Sequence, residues 1–295
     1  MTNRTALAAT VVLLLLTAAW GSTFFMVKDL AEHVPVMDYL VERFSIATLA
    51  VFLLAPRAVF RLSRAQLWQS VVLGLLYGIG QVMQTKGLDM TTAAMTGFLT
   101  GLYVILTPVF AAPILRTRIG RVTWVGVAIA GIGMGVLTLH GFSIGAGELL
   151  VVGSAVVYAI QIVGLEAWSK PEIAIGSSVV QLLVITVVCG VFALPNGLVL
   201  PHSAGDWTAV LYMAVIVGGL GLLGQVWAQA HLPATRAAIV MAMEPVFAAV
   251  FAALFGGETL TGRMLLGGVL VVGAILLVEL APRRHLDAEV THPAA

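Results

Sequence analysis

Ten stretches of mostly apolar residues, each close to the length that crosses a bilayer, follow one another from Ala6 to Leu280. They run Ala6 to Val27, Met37 to Leu54, Trp68 to Leu88, Ala93 to Leu115, Val122 to Leu139, Glu148 to Trp168, Ile173 to Leu194, Trp207 to Ala230, Thr235 to Phe255, and Met264 to Leu280. A helix of about 20 apolar residues covers the roughly 30 Å of hydrocarbon in a membrane. Inside that hydrocarbon every backbone N–H and C=O needs a partner in the protein, so only helices and closed barrels span it. The alternation of polar and apolar residues that marks a barrel is absent from these windows. An all-α integral membrane protein with ten transmembrane helices is therefore expected. Composition agrees, with 60% hydrophobic and 10% charged residues against about 45–50% and about 25% in soluble domains.

Lysine and arginine set the orientation, because short basic loops stay on the cytoplasmic side. With ten spans and a cytoplasmic amino terminus, the inner segments carry Arg4, Arg57, Arg61, Arg64, Arg116, Arg118, Arg121, Lys170, Arg236, Arg283 and Arg284. The outer segments carry Lys28, Lys86 and Arg263, while Arg43 lies within the second span. Both termini are expected inside, in the plasma (inner) membrane. Arg4 followed by Ala6 to Ala19 resembles a signal peptide, but the apolar run continues to Val27 and further spans follow, which favours an uncleaved first span. The single cysteine, Cys189, lies inside a span, where it reads as a small buried hydrophobe.

The chain repeats itself. Pro108-Val109-Phe110-Ala111-Ala112 recurs as Pro245-Val246-Phe247-Ala248-Ala249, and Gly80-Gln81-Val82 recurs as Gly224-Gln225-Val226. Thr92-Ala93-Ala94 answers Arg236-Ala237-Ala238. Each proline helix is followed by a glycine-spaced span, with Gly126, Gly131, Gly133 and Gly135 in one copy and Gly267, Gly268 and Gly273 in the other. A repeat of five spans has an odd number of crossings, so its second copy sits upside down relative to the first. The expected organisation is residues 1–140 and 141–281 as two inverted five-helix repeats, with a polar cytoplasmic tail over 282–295.

Several short motifs occur in this order: Trp20-Gly21-Ser22-Thr23-Phe24, Glu42-Arg43-Phe44, Phe98-Leu99-Thr100-Gly101-Leu102-Tyr103, and Thr235-Arg236-Ala237-Ala238 through Glu244-Pro245-Val246-Phe247-Ala248-Ala249 to Gly257-Glu258-Thr259-Leu260-Thr261. In these the chain resembles a ten-helix member of the drug/metabolite transporter superfamily, of the EamA type. The resemblance covers nearly all of the span region. It implies a carrier that moves small metabolites or toxic compounds outward by alternating access around a central cavity. The halves are expected to rock about a cavity bounded by the first, third, fourth, sixth, eighth and ninth helices. Members differ in cargo, so no substrate follows from the resemblance.

Glu244 is the strongest single candidate for transport chemistry, because a carboxylate near mid-span costs about 2.5–3.5 kcal/mol on insertion scales. It marks the one difference between the proline copies, standing where the first copy has Thr107. Two readings apply: contact with a cationic group or a proton of the transport cycle, or a neutral side chain bonded to a neighbouring helix. Pro108 and Pro245 have no N–H, which frees the carbonyls of Val104 and Met241 for substrate, water or a neighbouring hydroxyl. Trp20 with Thr23, Gln81 with Gln84, Tyr158 with Gln161, and Gln225 with Gln229 stand three or four residues apart and share helix faces. Such faces point inward, toward either a cavity or another helix. Tyr103, about one turn before Pro108, is placed to line the same space. Arg43 is expected either in a structural ion pair with Glu42 or as an outer gate.

A channel or receptor-like protein without alternating access would use the same helices. A membrane enzyme would need a cluster of His and carboxylates or a nucleophile with its base. His33, His140, His202, His231, His285 and His292 are instead scattered, and no Gly-x-x-x-x-Gly-Lys-Ser/Thr loop is present for ATP. The expected partners are a small-molecule substrate and the lipid bilayer, with no nucleic acid, cofactor or metal.

Overall fold

All ten apolar windows are helical in the computed structural model, which describes residues 3–31, 34–91, 93–138, 145–193, 197–255 and 261–280. No strand occurs among the described residues. The expected tail over 282–295, Thr92, Gly257 to Leu260, and the junction of the two halves near residue 140 lie outside the described residues.

Four of the ten windows are not single helices. The first is divided at Ser22 into α1 (Asn3–Gly21) and α2 (Thr23–Leu30). After α3 (Val36–Leu54) and α4 (Arg64–Met90), the fourth window divides at Leu102 into α5 (Ala93–Gly101) and α6 (Tyr103–Ile114). Helices α7 (Arg121–Thr138), α8 (Ala146–Trp168) and α9 (Ala174–Ala193) each fill one window. The eighth is built of α10 (Ala204–Tyr212), a π-helical segment over Met213–Leu220, and α11 (Gly221–Gln229). The ninth divides into α12 (Ala234–Met241) and α13 (Glu244–Phe255), and the last is α14 (Gly262–Glu279).

Length and composition mark six stretches as able to cross a membrane: Arg4–Gly21, Met95–Ile114, Ala146–Trp168, Pro171–Ala193, Ala204–Gln229 and Ala234–Phe255. Arg121–Val136 and Leu265–Val278 are apolar but shorter. Helices α3 and α4 are more polar, the first carrying Asp38, Glu42 and Arg43, the second Gln81, Gln84, Lys86 and Asp89. Helix α4 starts at a capping box in which Ser63 Oγ accepts from Gln66 N and Gln66 Oε1 accepts from Ser63 N. Such a box satisfies N–H groups that the first turn leaves open, and the 27 residues that follow run about 40 Å at 1.5 Å each.

Packing respects the duplication. Helix α4 packs on α8 and α9, as α11 packs on α1 and the π segment on α3. The pair α6–α8 has its counterpart in α13–α1, while α3–α9, α6–α12 and α7–α14 map onto themselves when windows five places apart are exchanged. Small residues permit the α7–α14 contact: a Cβ on Gly133 would lie 2.9 Å from Gly267 O, and one on Gly126 would lie 2.5 Å from Val278 Cγ2. Gly273, of the same glycine-spaced span, faces away, with nothing within 4 Å of a Cβ. Cys189 is buried. The buried apolar residues form two clusters, one around α6, α7, α12 and α14 and one around α3, α4, α9 and the π segment.

Candidate functional site

The irregular places in the helices converge. A cavity of about 90 Å³ is lined by Trp20 and Thr23 on either side of the first break, by Thr100 and Tyr103 around the second, and by Met241 and Glu244 around the third. Tyr39 and Arg43 of α3, Tyr77, Gln81 and Gln84 of α4, Tyr158 and Gln161 of α8, and Gln225 of α11 complete its polar wall. Its apolar wall draws on both clusters, with Phe24, Val27 and Leu88 from one and Ile162 and Met241 from the other. A break in a helix leaves carbonyls and N–H groups without helical partners, so a polar cavity is the place in an apolar protein where breaks are tolerated.

Arg43 is buried and held at its Nε, which donates to Met213 O at 3.1 Å, and at Nη1, which donates to the Tyr39 hydroxyl at 3.0 Å. The rings of Tyr39 and Phe44 lie 6.0 Å and 5.1 Å from its guanidinium carbon, within cation–π range. Trp20 Nε1 donates to Val217 O at 3.2 Å. Both acceptors belong to the π segment, whose wide turns shift the usual i to i−4 pairing. Two cavity-lining side chains thus cap the carbonyls that this irregularity presents. Gly221 leaves the room for it, since a Cβ there would lie 2.9 Å from Trp20 Nε1. The Ser22 hydroxyl, at the first break, is 2.8 Å from the Tyr212 hydroxyl at the end of α10.

Across the cavity runs a chain of neutral groups. Gln81 Nε2 donates to the Tyr158 hydroxyl at 2.6 Å, the Tyr158 hydroxyl donates to Gln84 Oε1 at 3.0 Å, and Gln84 Nε2 donates to Thr100 Oγ1 at 3.0 Å. Gly80 allows this approach: a Cβ on it would lie 2.5 Å from Tyr158 Cε1. Gln225 Nε2 donates to Gln229 Oε1 at 3.1 Å, and Gln229 Nε2 donates to Ile162 O at 2.9 Å. Glu244, half-buried, begins α13 and lines the cavity. Its counterpart Thr107 is fully buried and donates to Tyr103 O of its own helix at 2.6 Å.

The EamA-like transporter family model matches the sequence twice, over residues 7–139 and over 145–280. The chain belongs to the EamA-like transporter family. It is a multi-pass membrane transport protein. Among relatives of this EamA-like transporter, an uncharacterized transporter of Archaeoglobus fulgidus is 26% identical over 91% of this chain and 84% of its own length. The pseudopaline exporter CntI of Pseudomonas aeruginosa is 27% identical over 86% and 89%. A probable terminal-alkyne amino-acid exporter of Streptantibioticus cattleyicolor is 29% identical over 36% of this chain and 35% of its own. A solved crystal structure of 18% identity superposes with a TM-score of 0.78, covering 94% of this chain and 98% of that one, which shows the fold alone.

Of the residues singled out in the sequence, Trp20, Thr23, Gln81, Gln84, Tyr103, Tyr158, Gln161, Gln225 and Glu244 of the EamA-like transporter line one cavity, and Arg43 joins them. Gln229 stands behind the wall and orients Gln225. Pro108 and Pro245 do not line the cavity. Pro108 lies inside α6, which continues through it, and the break falls earlier, at Leu102. Pro245 is the second residue of α13, where a fixed φ and a missing N–H suit a helix start. The expected Glu42–Arg43 ion pair does not form: neighbours on a helix point about 100° apart, and both Glu42 oxygens are buried without a hydrogen-bond partner among the described residues. Helix α3, the second apolar window, also lines the cavity through Tyr39 and Arg43, whereas the sequence placed it outside. Other wall residues were missed, yet extend the same faces by one turn: Phe24 and Val27 beyond Trp20 and Thr23, Tyr77 and Thr85 on either side of Gln81, Leu88 beyond Gln84, and Tyr39 before Arg43.

Proposed function

We propose that this EamA-like transporter is a secondary exporter of small solutes, working by alternating access between two inverted five-helix repeats, residues 1–140 and 141–281. Ten crossings, both termini in the cytoplasm and residence in the plasma membrane complete the reading, with 282–295 as a cytoplasmic tail. The observation that carries it is a cavity flanked by helix breaks, which has a guanidinium from the first half, Arg43, and a carboxylate from the second, Glu244. Intramembrane charges that face a shared cavity mark solute pathways, and breaks in matched helices are where carriers place their sites. The direction is supported by two relatives named as exporters.

The two ends of the cavity differ. Its wall extends to Val27, Tyr39 and Leu88, at the end of α2, the start of α3 and the end of α4, the side the basic residues leave outside. At the opposite end Gln229 Nε2 donates to Ile162 O, and Glu166 Oε2 accepts from Ala234 N at 2.6 Å. In this reading these bonds fasten the inner end of the carrier. Reciprocal labelling tests the reading. With Cys189 replaced by serine, single cysteines at Leu88 and at Ala234 are reacted with a membrane-impermeant maleimide in right-side-out and inside-out vesicles. Conditions that protect one position should expose the other. Both positions reacting together, each from its own side, would fit a channel and refute alternating access.

A further inference from the structure

We infer that the cargo carries an anionic and a cationic group on one small molecule, the anion held by Arg43 and Gln161 and the cation by Glu244 and Gln225. This assignment rests on the carrier reading above and names its substrate class. A guanidinium has five N–H donors. Arg43 uses Nε on Met213 O and one N–H of Nη1 on Tyr39, so the remainder of this fixed charge is left for the cavity it lines. Gln161 is 1% exposed, and its Nε2 has no partner among the described residues. Gln225 is 3% exposed; its Nε2 is engaged by Gln229, while its Oε1 has no partner among the described residues. Buried polar groups without partners are rare and costly, and both of these lie on the cavity wall. The unmet needs are therefore of two kinds: donors at Arg43 and Gln161, acceptors at Gln225 and Glu244.

The placement of the two charges adds a mechanical consequence. Among the described residues no ion pair joins Arg43 to Glu244, so the charges line one cavity while remaining available to a guest. One belongs to the first half of the chain and the other to the second. A ligand shifts a conformational equilibrium only by its difference in affinity for the two states. A solute with both charges bonds to both halves and favours the arrangement that brings them together; a solute with one charge engages one half and leaves that equilibrium nearly unmoved. Single-charge analogues should thus bind weakly and be carried poorly.

The test uses the full chain in proteoliposomes and two matched sets: L-alanine, ethylamine and propionate; L-leucine, isoamylamine and 4-methylpentanoate. Each set keeps its hydrocarbon part while removing one charge at a time. At least one amino acid should undergo counterflow. Its amine and its acid should compete at least about tenfold more weakly, since each forfeits charge-assisted bonds, and should exchange at background rate. Gln161→Leu removes a donor that bonds to no protein group, so it should leave folding intact. It should raise the apparent KM for the amino acid about tenfold while leaving inhibition by the amine unchanged, an outcome that general damage would not give. Amine or acid exchanging as fast as the amino acid overturns the assignment, as does failure of both amino acids to compete or exchange. Reciprocal cysteine labelling reports on the carrier reading without any substrate, so the two failures are distinguishable.

Discussion

Replacing Gly80 with alanine should destabilise the transporter, and the sign of the effect should reverse once Tyr158 is truncated. A Cβ on Gly80 would lie 2.5 Å from Tyr158 Cε1, 2.9 Å from Cδ1 and 3.0 Å from Cζ, so the ring has to move. Its hydroxyl then strains or loses its bonds to Gln81 Nε2 and Gln84 Oε1. Overpacking of this kind costs about 1–3 kcal/mol, and each weakened neutral bond forfeits up to about 1 kcal/mol more. Against this, alanine is favoured over glycine inside a helix by about 1 kcal/mol. The steric effect wins, and the net loss is about 1–3 kcal/mol. In a Tyr158→Ala background the clash and both bonds are already gone, so Gly80→Ala should stabilise by up to about 1 kcal/mol. At about 2–4 °C per kcal/mol, the single substitution lowers Tm by several degrees and the same substitution on Tyr158→Ala raises it slightly. The measurement is thermal unfolding of the four purified proteins in one detergent, followed by tryptophan fluorescence. Equal shifts in the two backgrounds would mean that the positions do not couple, and the close contact would no longer account for the cavity wall.

Gly133→Leu should prevent normal folding, because even its Cβ meets Gly267 O and Leu270 Cβ at 2.9 Å, whereas Gly273→Ala should be tolerated; expression and monodispersity on size exclusion separate the two. Trp20→Phe keeps the bulk of the ring but leaves Val217 O unmet, a loss of about 1–3 kcal/mol that thermal unfolding will register as a fall in Tm, and an unchanged Tm would show that the bond contributes nothing. Glu166→Ala removes the acceptor at the start of α12, so maleimide labelling of Ala234→Cys from the inner side should rise several-fold while labelling of Leu88→Cys falls. Glu244→Gln should impair flux with folding intact; unchanged flux would remove its proposed role.

Sequence periodicity found much of the cavity because a hydrogen-bonding pair on one helix face has nowhere to point in lipid. Gln81 with Gln84 and Tyr158 with Gln161 were legible for that reason; Gln81 and Gln84 bond to Tyr158 across α4 and α8, and Gln161 lines the same cavity. The same reasoning, extended by one turn, reaches Tyr77, Tyr39 and Val27. Proline was a weaker guide. The breaks fall at Ser22, at Leu102 and at Ala242-Met243, none of which is a proline, because in a packed bundle tertiary contacts decide where a helix yields. At the first break Gly21 lies so close to α13 that a Cβ would be 2.8 Å from both Ala248 N and Glu244 O. Charge adjacency misled in the opposite direction: Glu42 and Arg43 are neighbours in sequence, and for that very reason they face different surroundings.

The π segment also governs rotation. An α-helix turns about 100° per residue, so a wider segment over Met213–Leu220 retards everything that follows it relative to α10. Gln225 reaches the cavity, and Gln229 the carbonyl of Ile162, only with that lag in place. The segment works as a phase shifter inserted in the helix: substitutions that return it to ordinary α-helical pitch at unchanged length would advance α11 and swing both amides off their targets, although no residue of the cavity had been touched.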